Sequence, residues 1–275
     1  MPASEAYIAM RGVLTDALGI QEEVLNAGLN TSPTDFRAQA AAMFFMTQAD
    51  HARSILAMEL RRDAALIARS MYEGDLKLRW LLSNPDFPED SDFKAKQWHA
   101  QGWRVDYESL YRRRDRLTQY RALTDEEESK FQTEKRELLH GIEHFQDFLL
   151  TEVGKQWLLA GARLSSQAFQ KVFPAVETMC QRLGFDATYY DHYRSMSEYS
   201  HFGLAGISQI WKFDTESARR SIVVEEPIWS CWCLSMAGFS FLGSMAAIDA
   251  LACQSLHQER TQALIARLSD MKPLR

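Results

Sequence analysis

Between Ile228 and Ile248 the chain reads IWSCWCLSMAGFSFLGSMAAI, without a single charged residue. Such a stretch has to leave water, and it can do so in two ways: by crossing a bilayer or by forming the central helix of a packed bundle. Ser230, Ser235, Ser240 and Ser244, with two glycines and two cysteines, dilute its apolarity. Glu225-Glu226-Pro227 precedes it, where a membrane anchor commonly carries lysine or arginine. We therefore expect a buried core helix, part of a segment running from Pro227 to about Leu268, and disfavour a membrane span.

The remaining punctuation is that of helices. A first segment, about 4–27, ends near Gly28, and Thr31-Ser32-Pro33 offers a cap and a proline for the next start. From Thr34 to Leu82 there is no proline and one glycine, Gly74, which predicts one very long helix or two abutting ones. The polar segment 83–92 is a loop. A charged helix at about 92–117 carries Arg112-Arg113-Arg114, read as a solvated face. Thr124 and Glu127 form a capping box for a helix at about 125–150, whose Phe131, Leu138, Ile142, Phe145 and Leu149 keep helical spacing. Further helices are expected near 165–182, stopping at Gly184, and at about 187–211. Ser221–Glu225 is the one extended candidate. No period of about 20–50 residues recurs and no low-complexity linker divides the chain. These elements predict an all-α fold, a single domain over 1–275 built as a bundle of six to eight helices.

Composition narrows the function. With 275 residues, 46% of them hydrophobic, the chain can bury a core without disulfides. A net charge of −6 argues against a protein that coats nucleic acid, and leaves room for a local RNA or nucleotide site. Cys180, Cys231, Cys233 and Cys253 read as buried thiols of a reducing compartment. With no cationic, apolar start at the N-terminus, this gives a cytoplasmic expectation. Trp98, Trp103 and Tyr107 read as core or interface aromatics. No phosphate-binding glycine loop and no nucleophile elbow is present.

Two segments carry the chemistry. On a helix, Tyr190, Arg194, Ser197 and His201 fall along one line, with Met196 and Tyr199 on the opposite, core-facing side. Arginine holds an anionic oxygen with two donors and histidine moves protons near neutral pH, so this stripe suits phosphoryl chemistry or carboxylate binding. A solvent-facing polar stripe is the plainer alternative. Arg69 and Glu73, an i,i+4 pair in the apolar run AALIARSMYEGDLKLRWLL, either bridge each other at the bundle edge or meet the Ser197/His201 stripe across a helix contact.

Arg69-Ser70-Met71-Tyr72-Glu73 resembles the Arg-Ser-x-x-Glu signature of a bacterial family of uncharacterised helical proteins, domain-of-unknown-function family 5677. Tyr193-x-x-x-Ser197-x-x-x-His201 resembles that family's second signature, and the likeness runs over roughly 40–250. The spacing Arg194-x6-His201 also resembles the Arg-x(4–6)-His motif of the HEPN superfamily, which includes metal-independent ribonucleases and toxins acting at a dimer interface. That resemblance implies a homodimer acting on RNA, as a toxin or phage-defence component would, with Arg194 and His201 catalytic. Glu73 joins them as a catalytic candidate, and Arg69, Ser197 and Tyr190 as binding candidates. No metal or other cofactor is expected. A non-catalytic helical interaction module that docks a partner protein is the alternative from another class.

Two metal readings are also on the sequence. His140-Gly-Ile-Glu143-His144 matches an inverted zinc-peptidase pattern, but its histidines lie opposite the apolar stripe and should face water. Glu137-x-x-His140 and Glu198-x-x-His201, with Glu73 and Glu177, echo a di-iron oxidase bundle, a third functional class that needs His140 to point inward.

Overall fold

Apolar residues recurring at three- and four-residue steps give most of this chain its helices. The computed structural model describes residues 2–29, 35–58, 64–83, 92–185, 193–194, 196–197, 211–214, 219–222, 226–252 and 255–271. Among them are α1 (Ala3–Leu29), α2 (Phe36–Ala57), α3 (Ala64–Ser83), α4 (Phe93–Tyr120), α5 (Asp125–His144), α6 (Gln146–Leu149), α7 (Glu152–Leu159) and α8 (Val176–Arg182). A hairpin of β1 (Trp211–Asp214) and β2 (Arg219–Ile222) follows, then α9 (Glu226–Ala252) and α10 (Gln258–Asp270). The fold class is all-α, with ten α-helices among the described residues, two more than the upper expectation.

The run Thr34–Leu82 is two helices, α2 and α3, the second of the two expected alternatives. Other elements differ from the sequence reading. The helix expected at 125–150 breaks at Phe145, whose φ of −103° and ψ of 16° leave the helical range. The one expected near 165–182 begins only at Val176, two residues past Pro174, and before it Leu150 and Phe169 form a bridge. Trp211, placed at the end of a helix, is in β1, where it pairs with Ile222 of the anticipated extended piece. The final long helix stops at Ala252 and resumes at Gln258. The buried Asp249 carboxylate accepts the His257 amide at 3.1 and 3.2 Å, and Ser255 takes a φ of 63° in the turn between.

The chain divides into two compact units, Met1–Trp80 with Ala175–Arg275, and Leu81–Pro174. In the first, α9 packs against α1, α2 and α10. Trp229–Leu251 is long and apolar enough to cross a membrane, and 61% of that window is buried inside the protein. Phe241 stacks on Phe45 of α2 with ring centroids 5.3 Å apart. Burying each such side chain contributes roughly 1.5–3 kcal/mol. Across the α2–α3 contact, the buried Gln48 Nε2 donates to the Met71 carbonyl at 2.6 Å. A Cβ on Gly74 would lie 2.6 Å from that nitrogen, so a side chain there would displace the end of Gln48.

In the second unit α4 and α5 pack together around Tyr107, Leu110, Tyr111, Phe131 and Ile142. Tyr107 is a core residue as expected, and its hydroxyl accepts the Leu164 amide at 3.2 Å. Gly141 lets the Trp103 indole approach so closely that the ring fills the space a Cβ would need. Thr124 and Glu127 close the anticipated capping box. In the triple arginine, Arg112 and Arg113 are exposed as expected and Arg114 is half-buried, and each makes an ion pair. Arg112 bridges Glu108 at 2.8 Å, Arg113 bridges Glu134, and Arg114 bridges Glu128 at 3.3 Å while lying over the Phe131 ring.

Candidate functional site

Helix α3 sets Arg69, Glu73 and Lys77 at four-residue steps on one half-exposed face. Arg69 reaches Glu73 Oε1 through Nε at 3.1 Å and Nη2 at 3.0 Å, and Lys77 Nζ stands 3.8 Å from Oε2. The side chains of Arg69 and Glu73 each keep 22% exposure. The intrahelical bridge is thus present, and it does not stand alone: the Tyr193 hydroxyl donates to the same Glu73 Oε1 at 2.5 Å. The two signature segments therefore meet, through Glu73 and Tyr193.

Tyr193 is 6% exposed and belongs to a buried cluster with Leu76 and Cys180. Its ring lies 5.4 Å from that of Tyr72, whose hydroxyl is 3.6 Å from Cys180 Sγ, and 5.7 Å from the Arg69 guanidinium carbon. Burial first, and the facing Glu73 carboxylate next, push the Tyr193 phenol up to about 12, so at neutral pH it is a hydrogen-bond donor and not a nucleophile. Burial works against the Arg69 charge, but Tyr193 and Glu73 outweigh it and hold the guanidinium above its usual value.

The expected stripe is placed in part. Arg194 is exposed, Ser197 half-buried, and Met196 buried on the core side as anticipated. Tyr190 and His201 lie outside the described residues, as does Cys253. Tyr193 was not on the expected list, because the helical line through Arg194 selects Tyr190. The signal that could have found it is its place at the head of the second signature.

Two residues beyond Glu73, on the other side of α3, Asp75 is 5% exposed and pairs with Arg79 at 2.9 Å. A Cβ on Gly243 of α9 would collide with Arg79 Nη2 and lie 2.8 Å from Asp75 Oδ1, so the absent side chain leaves this ion pair its space. Burial raises the Asp75 carboxyl to about 6 despite the opposing pull of Arg79 and, more weakly, of Ser244. Ser244 Oγ and Asp75 Oδ1 are both buried outside hydrogen-bonding geometry.

Of the residues in the metal readings, Glu198 and His201 lie outside the described residues. His140, Glu143 and His144 are exposed on α5, as the apolar stripe predicted, and Glu137 and Glu177 are exposed as well. Among the described residues no three histidine, cysteine, aspartate or glutamate side chains are grouped to hold a metal. Cys180, Cys231 and Cys233 are buried free thiols.

A family model, described as a family of unknown function, DUF5677, matches residues 40–218. That range contains all but the first turn of α2, then α3 to α8, both signatures and β1. Searches of curated proteins and of solved structures found no match.

Proposed function

The chain belongs to the DUF5677 family, and on that premise we propose that it is a metal-independent ribonuclease of HEPN type acting as a homodimer. The observation that carries the reading is the Arg69–Glu73–Tyr193 junction, which anchors one residue of the second signature in the core while the next, Arg194, remains exposed. Arg194 presents an exposed guanidinium beside this anchored residue, a group whose paired donors suit a phosphodiester. In this reading the ribose 2′-oxygen attacks the adjacent phosphorus, the bond from phosphorus to the 5′-oxygen breaks, and a 2′,3′-cyclic phosphate and a 5′-hydroxyl result. His201 takes the 2′-hydroxyl proton and returns it to the departing 5′-oxygen, and Arg194 holds the negative oxygens of the phosphorane.

The test is cleavage of single-stranded RNA by the purified chain beside Arg194→Ala and His201→Ala. Each substitution should lower cleavage by at least about 100-fold. Equal cleavage by all three, or none by the unaltered chain at any concentration, removes the reading. A non-catalytic interaction module is the second reading, favoured by the way Arg69, Glu73 and Tyr193 satisfy one another as a structural clamp does. Capture of a partner protein that depends on Arg194, without RNA turnover, supports it.

A further inference from the structure

We infer that Tyr193 and Glu73 are positioning residues, whose hydrogen bond fixes the rotation of the segment that carries Arg194 and so aims its guanidinium outward. The catalytic consequence rests on the ribonuclease reading; the geometric claim does not.

Consecutive residues on a helix point about 100° apart. Tyr193 and Arg194 are helical, so holding Tyr193 inward sets where Arg194 can point. Apolar packing with Leu76 and Cys180 keeps the Tyr193 ring buried, beside Tyr72 and the Arg69 guanidinium at 5.4 and 5.7 Å. The hydroxyl adds a directional bond to that packing, donating to Glu73 Oε1. Glu73 cannot easily follow a drifting donor. Both Arg69 nitrogens engage the same Oε1, and Lys77 stands near Oε2. The acceptor is therefore set by α3, and the donor is brought to it. Ser197, one turn on from Tyr193, is half-buried, consistent with a face rolled partly inward from Tyr193 onward.

Two readouts test this on the full-length chain. In the first, Arg194→Cys carries a nitroxide label, with the chain lacking that change as the labelling control. Its electron spin resonance spectrum is recorded alone and combined with Tyr193→Phe or Glu73→Gln. We expect the label to gain mobility in both combinations, at a temperature where circular dichroism shows each chain folded. Tyr193→Phe keeps the ring and loses only the donor; Glu73→Gln keeps the shape and serves should the first variant not fold. Identical spectra in all backgrounds overturn the inference. In the second readout, turnover of a single-stranded RNA oligonucleotide should fall on the order of 10- to 100-fold in kcat in either variant, with KM changed less than about threefold. If Arg194→Ala abolishes turnover while Tyr193→Phe and Glu73→Gln leave kcat untouched, the inference falls and the ribonuclease reading stands. If no chain cleaves RNA, that reading falls and the spectra alone decide the positioning claim.

Discussion

Replacing Asp75 with asparagine should change how stability depends on pH. The folded protein binds the Asp75 proton more tightly than the unfolded chain does, since burial lifts the carboxyl from 3.8 to about 6. Protonation therefore stabilises the fold. Its contribution is complete below about pH 3.8 and is lost as pH rises through about 6. A separation of about two pKa units corresponds to about 3 kcal/mol, at 1.36 kcal/mol per unit. The asparagine side chain mimics the protonated form at every pH. It keeps an oxygen for Arg79, whose side chain is 41% exposed and can complete its solvation with water. Urea unfolding of both chains from pH 4 to pH 7.5 isolates the effect, because the other titrating groups are shared and cancel in the difference. The asparagine variant should gain most of this, about 2 kcal/mol, on the unaltered chain across that range. A difference that stays flat within about 1 kcal/mol would show that the Asp75 carboxyl is not desolvated as the α3 packing implies.

Gly141→Ala should destabilise the fold by about 1–3 kcal/mol despite alanine's better helix propensity, since the rigid Trp103 indole occupies the space of the new methyl group; chemical denaturation reads it. Thr124→Ala should cost about 1 kcal/mol by removing the side chain that accepts the Glu127 amide, and the thermal midpoint should fall accordingly. Burial pushes the Cys231 thiol up to about 11 and Cys233 higher still, so at pH 8 a disulfide-exchange reagent should modify both far more slowly in native protein than in urea.

Much of the fold was legible because helix periodicity and capping are local. The capping box at Thr124 and Glu127 needs only four residues of context, and the outward face of His140 and His144 follows from the apolar stripe on the same helix. What escaped depended on partners distant in sequence. The break after Ala252 turns on a buried carboxylate accepting an amide eight residues on, and no periodicity reports that. Gly74 could be noted as the one glycine of its run, but its contact with Gln48, 26 residues earlier, could not be read from that run. The candidate site divides the same way. Arg69 and Glu73 could be paired from their spacing, and a meeting of the two signatures could be anticipated, but the residue that makes the contact is Tyr193. Helical geometry favoured the line through Arg194 and passed over the neighbour whose burial orients it.

The Gln48–Gly74 contact also constrains how this protein can change over time. A methyl group at position 74 meets the amide nitrogen that bonds the Met71 carbonyl, so alanine there displaces the end of the Gln48 side chain and gives up that hydrogen bond, while a shorter residue at 48 gives up the bond and frees the space. Related chains with a larger residue at 74 should accordingly carry a shorter one at 48.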